Sequence, residues 1–301
     1  MKVVTVEQLA GILSALPANP RIVASGNVAT PTVLLDAVDA AVPEFRLHML
    51  NAHRGIPDRD GITYESAFVG PGMRGSERLV YVPCRLSLVP VLFRDHFRPD
   101  VVLVHTSARR FDTVSLGIET NILPAAIDAA REHGGLVIAQ ANSQMPYTYG
   151  DAQLYEHEID YLVEVDVPLP ELQPGEVEGP AARIGELISA RIQPGSTLQL
   201  GIGAIPDAVL ACLTEVDGLR IWTEMFSDGV LGLEHRGQLD PDVPVTASFA
   251  FGSRELYDWM HLNHRVRMLR TEHTNDPGVI ARQRQMTSVN AALQVDLFDQ
   301  A

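Results

Sequence analysis

Residues 197–213 read "TLQLGIGAIPDAVLACL". A short apolar run meets Gly201-Ile202-Gly203, and a helical pattern starts near Pro206. Strand, tight turn and helix in that order are the building unit of an α/β fold. Glycine adopts backbone conformations closed to other residues, so the turn can be tight and a ligand can approach the backbone. The first amides of a helix have no intrahelical partner and can hold an anion or a developing oxyanion. An ordinary strand-to-helix turn would read the same way, so the stretch fixes fold class before function. Pro206 stands where a dinucleotide G-x-G-x-x-G needs its last glycine, and no G-K-[ST] follows a glycine loop. A Rossmann fingerprint and a P-loop are therefore excluded.

Working outward, the same alternation recurs along the chain of 301 residues. Strands are predicted at "RIVAS" (21–25), "FRLHML" (45–50), "LVYVP" (79–83), "VVLVHTS" (101–107), "GLVIAQ" (135–140), "STLQLG" (196–201) and "LRIWTE" (219–224). Helices are predicted from Thr30 as N-cap with Pro31 at the first position, over 121–135 up to its glycines, over 181–192 and over 206–213. Strands alternating with helices predict a mostly parallel α/β sheet. The Pro-, Glu- and Gly-rich segment 169–180 breaks the rhythm and reads as a linker between domains 1–168 and 181–301. The glycine-rich and polar turns "SGNVATP" (25–31), "FVGPGMRG" (68–75) and "NSQMPYTYGD" (142–151) would join the Gly201 turn outside the carboxyl ends of the strands, where open α/β sheets bind ligands.

Hydrophobic residues make up 46% and charged residues 20%, the balance of a globular protein with real cores. The net charge of −15 argues against nucleic acid as a partner, because phosphate binding needs basic surface. No apolar run is long enough for a membrane span, and the N-terminus lacks the apolar core and cleavage site of a signal peptide. Cys84 and Cys212 lie in apolar settings with no disulfide or zinc spacing, so a reducing, cytoplasmic location is expected.

A second stretch, "IWTEMFSDGVLGL" (221–233), places Glu224 among Trp222, Met225 and Phe226. A carboxylate is rarely buried unless paired. Read locally, Glu224 is a capping or salt-bridged charge beside Ser227 and Asp228. His53 and His105 are lone histidines that serve structure more often than acid–base work. Trp259 and Tyr257 suit helix packing, and Gln294 and Asp296 would share one face of a final strand.

Taken together, "SGNVATP", "NSQMPYTYGD", "STLQLGIGAIPDAVL", "TEMFSDGV", "FGSRELYDW" (251–259), "TNDPGVIARQRQM" (274–286) and "SVNAALQVDL" (288–297) resemble the acetyl-CoA hydrolase/transferase family of family I CoA-transferases, the branch with 4-hydroxybutyrate CoA-transferase. The resemblance covers nearly the whole chain in order, and "GIGAIP" with "EMFSDG" is highly specific. It implies two open α/β domains of CoA-transferase (NagB/RpiA-like) type. Family members continue past Ala301, so the second domain is expected to be incomplete. It implies Glu224 as the nucleophile that becomes a glutamyl-CoA thioester. It implies CoA contacts at Gly201, Ile202, Gly203, Ala204 and Ile205, with Leu293 as a weaker contact. It also implies a short-chain acyl-CoA and a carboxylic acid as substrates, with CoA as substrate and not as resident cofactor, no metal, and room for a homo-oligomer. One departure is Trp222, where relatives commonly carry His. The alternatives are an acetyl-CoA hydrolase of the same fold and a non-catalytic chain that needs a partner.

Overall fold

The computed structural model describes residues 1–172, 179–201, 203–292, 294–298 and 300. Up to residue 165 the strands are β1 (Lys2–Val3), β2 (Arg21–Ala24), β3 (Phe45–His48), β4 (Ile62–Ser66), β5 (Leu79–Tyr81), β6 (Val101–Ser107), β7 (Thr113–Ser115), β8 (Leu136–Asn142), β9 (Tyr149–Gly150), β10 (Gln153–Tyr155) and β11 (Tyr161–Val165). Eight of them form one sheet in the order β1-β11-β8-β6-β2-β3-β4-β5. Every neighbouring pair is parallel. All of β6 is buried, which is why its sequence is a nearly continuous apolar run and not an alternating one.

Helices cover both faces. Leu9 and Leu13 of α1 (Val6–Leu13) and Leu34, Leu35 and Val38 of α2 (Thr32–Ala41) pack with Ile22, Ala24, Leu103 and Ile138. Phe93 of α3 (Val89–Asp95) and Leu123, Ala126, Ile127 and Ala130 of α4 (Leu123–His133) pack with Val23, Val102, Val104 and Val137 on the other face. Successive strand residues thus serve opposite layers. Chain order reverses between β2 and β6, which makes their carboxyl ends the switch point where such sheets open a crevice.

Later in the chain come α5 (Gly179–Ser189), β12 (Thr197–Leu200), α6 (Ala204–Cys212), β13 (Arg220–Ile221), β14 (Met225–Phe226), α7 (Asp228–His235), β15 (Val245–Ala247), β16 (Phe249–Ala250), α8 (Arg254–Met260), β17 (Val266–Met268), α9 (Thr271–Thr274), α10 (Pro277–Ile280) and β18 (Met286–Val289). β12 lies between β13 and β18, parallel to both, so their carboxyl ends share one edge. β17 joins β15 to β9, and a single apolar cluster runs from Val23 to Val289, so the two parts of the chain share a core.

Three sequence expectations are corrected. α2 begins at Thr32, because the Thr30 hydroxyl donates to the carbonyl of Asn27 at 2.9 Å and closes a preceding 3-10 turn instead of capping the helix. The strand predicted through Glu224 ends at Ile221, because Thr223 turns inward to bond Leu200. The final strand ends at Val289, where pairing with β12 stops. Gln294, Asp296, Leu297 and Phe298 are exposed, and the Asp296 carboxylate accepts the amide of Phe298 in a turn. Of the segment read as a linker, residues 173–178 lie outside the described residues. Leu169 is buried, and Leu172 donates its amide to the Gly252 carbonyl at 3.0 Å.

Gly26 marks how tightly the switch point is built. A Cβ there would stand 1.9 Å from the carbonyl oxygen of Leu50. Gly26→Ala should therefore lower unfolding stability by about 3 kcal/mol, because backbone has to move to admit the methyl. An unchanged denaturant midpoint would contradict the close approach.

Candidate active site

Glu224 lies between β13 and β14, at the edge where β12, β13 and β18 end. The buried Thr223 hydroxyl accepts the Leu200 amide at 3.0 Å and lies 2.9 Å from the Met225 carbonyl, which ties the segment to the end of β12. The main-chain carbonyl of Glu224 accepts two amides, from Ser248 at 2.8 Å and Phe249 at 3.0 Å. Its carboxylate Oε2 accepts the Nδ2 amide of Asn275 at 3.1 Å.

That amide is itself oriented. The Thr274 hydroxyl donates to Asn275 Oδ1 at 2.8 Å, and Ser248 Oγ lies 2.6 Å from Thr274 Oγ1. With the Thr274 proton committed to Asn275, Ser248 supplies the proton of the shorter bond, and Asn275 is left to present its NH₂ to Glu224. Trp222 donates Nε1–H to the Thr274 carbonyl at 3.1 Å, so the residue that departs from the family pattern braces the same ring of bonds. Burial raises the pKa of Glu224, and the Asn275 hydrogen bond opposes the rise. Buried Met225 and Phe226 supply an apolar flank on either side of the chain turn.

The glycine turn follows β12 at this edge. Gly203 has φ +114° and caps α6, which starts at Ala204. The amides of Ala204 and Ile205 open the helix, where no intrahelical acceptor exists. The Gly201 amide is committed to the Val289 carbonyl at 3.0 Å, so it is not available to a ligand. Ile202 and Leu293 lie outside the described residues. Asp207, in the first turn of α6, accepts the Ser227 hydroxyl at 3.2 Å, and burial raises its pKa.

The histidines are structural in character. His105 is buried, its Nε2 is 3.1 Å from Nδ2 of Asn142, and burial drives its pKa down to about 4. His53 packs edge-on against Phe251, and burial lowers its pKa. Tyr257 is buried and donates to the Pro170 carbonyl at 3.0 Å, and Trp259 packs on Phe226.

Sequence reading missed Glu119. It lies in the loop between β7 and α4 and is 2% exposed. Its Oε2 accepts from Asn27 Nδ2 at 2.7 Å and its Oε1 from Asn121 Nδ2 at 2.8 Å. Asn51 Nδ2 in turn donates to Asn27 Oδ1 at 2.8 Å. Burial pushes the Glu119 carboxyl up to about 8, against the Asn27 bond and with the Glu224 charge adding to the rise. The signal was an acidic residue inside the apolar run "LGIETNI" (116–122), the same clue that singled out Glu224.

Among the described residues, no group of three or more His, Cys, Asp or Glu side chains is placed to hold a metal ion. Cys84 and Cys212 are unpaired, and among the described residues no helix is long and apolar enough to cross a membrane.

Residues 252–301 match the model of the acetyl-CoA hydrolase/transferase C-terminal domain. The 4-hydroxybutyrate coenzyme A transferase of Clostridium kluyveri is 34% identical over an alignment covering 99% of this chain and 72% of that protein. The chain belongs to the acetyl-CoA hydrolase/transferase family. A Fasciola hepatica family member, a succinyl-CoA:acetate/propanoyl-CoA:succinate CoA transferase, is 31% identical over 91% of this chain and 61% of its own length. The crystal structure of 4-hydroxybutyrate CoA-transferase from Porphyromonas gingivalis superposes with a TM-score of 0.80 at 28% identity, covering 98% of this chain and 74% of that one. The mixed α/β architecture with a large parallel sheet is that of the family's CoA-transferases, and CoA transfer is the activity the relatives are named for.

Proposed function

We propose that the chain transfers CoA between a short acyl-CoA, such as acetyl-CoA or 4-hydroxybutyryl-CoA, and a free carboxylic acid, through a glutamyl-CoA thioester on Glu224. The observation that carries this reading is one half-buried carboxylate, held by an oriented amide, at the strand edge that also bears the Gly203 turn.

The chemistry follows from the residue types. The Glu224 carboxylate attacks the thioester carbonyl, forming a mixed anhydride and releasing CoA thiolate. The thiolate attacks the glutamyl carbonyl, forming the enzyme thioester and releasing the first acid as its anion. A second carboxylate attacks that thioester, again giving an anhydride and thiolate. Return of the thiolate to the acyl carbonyl yields the new CoA ester and restores Glu224. No net proton is consumed. Each attack passes through an oxyanion, for which the Ala204 and Ile205 amides are the available donors near the turn. A dry pocket keeps the carboxylate reactive and the enzyme thioester away from water. The reading includes the division into units 1–168 and 181–301 and a cytoplasmic setting.

Incubating the chain with acetyl-CoA and isotopically labelled 4-hydroxybutyrate tests it. A labelled CoA ester is the expected product, and release of free CoA alone would favour a hydrolase. The turn has its own test. Gly203 lies in open space at a φ that L-residues rarely adopt. Gly203→Val should weaken CoA binding by roughly tenfold or more, about 1.4 kcal/mol, with the circular dichroism spectrum retained. Parent-like affinity by calorimetry in a folded variant would remove the turn from the CoA site.

A further inference from the structure

We propose that the cavity at the switch point between β2 and β6 holds the distal carboxylate of a dicarboxylic acid such as succinate, with Arg54 as the residue that selects it. The inference rests on the reading of the chain as a CoA-transferase and names the class of acid it takes.

The cavity has a volume of ≈130 Å³. That is about four waters' worth of liquid, room for a carboxyl-bearing tail and for nothing of CoA size. Val28, Val167 and Pro168 give it apolar walls, and Arg54 and His105 give it polar ones. No aspartate or glutamate is among the described residues that line it, in a chain of net charge −15. Two arginines near Arg54 in sequence are neutralised, Arg59 by Asp39 and Arg78 by Asp58. Among the described residues, no carboxylate pairs with Arg54. A guanidinium without an internal partner is free to grip a ligand carboxylate through two N–H groups.

The loop that carries Arg54 is fixed. Asn51 donates its amide to the Phe68 carbonyl at 2.7 Å, and Gly72 donates to the Ala52 carbonyl at 2.8 Å. A Cβ at Gly72 would stand 2.2 Å from the His53 carbonyl oxygen, so the two loops touch backbone to backbone.

The His105 wall adds a donor. Gln140 Oε1 accepts the Val33 amide at 3.0 Å, and Asn142 Oδ1 accepts the Val167 amide at 3.1 Å. Their NH₂ groups are thereby turned to His105 Nε2, at 3.3 and 3.1 Å. Nε2 is the acceptor, so the ring proton is on Nδ1. The Ala29 and Thr30 carbonyls favour that proton, yet Nδ1 makes no well-formed hydrogen bond. The wall thus carries the positive end of an N–H dipole without an acceptor.

The cavity adjoins the reacting segment. His53 in its lining packs edge-on against Phe251 at 5.8 Å, and the Phe251 amide donates to the Phe226 carbonyl at 3.2 Å. Asn27, also in the lining, donates to Glu119, whose segment bridges to Phe249, and the Phe249 amide donates to the Glu224 carbonyl at 3.0 Å. A monocarboxylic acid spends its one carboxylate at Glu224 and leaves Arg54 facing an apolar tail. A dicarboxylic acid has a second carboxylate to give it.

Transfer from acetyl-CoA to succinate and to its monoamide, succinamate, tests this in the parent chain and in Arg54→Gln. The two acids share a shape and differ in charge at the distal end. The parent's kcat/KM should favour succinate by about tenfold or more, and Arg54→Gln should bring the two within about twofold of each other. A merely structural role for Arg54 would lower both acids together and leave their ratio in place. Calorimetry without CoA should show succinate binding to the parent, weakened roughly tenfold or more in Arg54→Gln. Equal use of both acids by the parent, or a preference that survives in Arg54→Gln, overturns the inference and leaves transfer standing. If the parent transfers CoA to neither acid, calorimetry decides. Succinate binding that depends on Arg54 then keeps the cavity assignment and removes the transferase reading, and binding that is absent or indifferent to Arg54 removes both.

Discussion

Glu224→Ala should lower CoA transfer by roughly 10⁴-fold or more, the scale on which enzymes lose rate when a covalent nucleophile is removed. Alanine leaves no acyl acceptor, and nearby carboxylates are committed elsewhere. Glu119 is buried and held by two asparagine amides, and Asp207 accepts the Ser227 hydroxyl. Asp296, expected from the sequence on a final strand, is exposed in a turn beyond the last strand, so Asp296→Ala should stay within about twofold of the parent. Mass spectrometry should find the CoA adduct on the peptide carrying Glu224 in the parent and nowhere in Glu224→Ala. Full activity in that variant, or an adduct on another residue, would return Glu224 to a structural role.

What the sequence revealed and what it hid follow from range. Strands such as β6 and β8, and the glycine stop of α4, are local: apolar runs and a left-handed Gly134 announce themselves within a few residues. The Gly203 turn is legible for the same reason. The site is not local. Asn275 meets Glu224 across 51 positions of chain, and Asn27 meets Glu119 across 92. An asparagine in a turn has an ordinary local explanation, so nothing in its neighbourhood points to a distant carboxylate. Glu224 itself drew attention because an acid amid apolar residues is unusual at short range. Glu119 carried the same mark and was passed over because no motif surrounded it. The final strand failed for the opposite reason. Alternation in "ALQVDL" is real, but no neighbour exists among the described residues to pair with it beyond Val289.

Asn275→Ala should reduce kcat/KM by about 10²- to 10³-fold, the range seen when one preorganised donor is removed from a charge-developing site. Two effects act together. The amide fixes where Oε2 lies, and nucleophilic attack falls steeply when the reacting oxygen is misplaced. The amide also stabilises the ionised carboxylate, since its hydrogen bond lowers the pKa of Glu224 against the rise caused by burial. Removing it lets burial act unopposed, so the Glu224 pKa climbs further. A nucleophile works only when ionised, so the acid limb of the kcat/KM profile must move to higher pH in the variant. Loss of geometry alone would lower the plateau and leave that limb in place. Asn275→Asp separates the two effects again: it keeps the shape, removes the donor and adds a like charge, so it should shift the limb at least as far as alanine does. Pre-steady-state labelling of Glu224 across pH in the three proteins reads both quantities at once. An acid limb that does not move in either variant would mean that Asn275 orients the carboxylate without setting its charge.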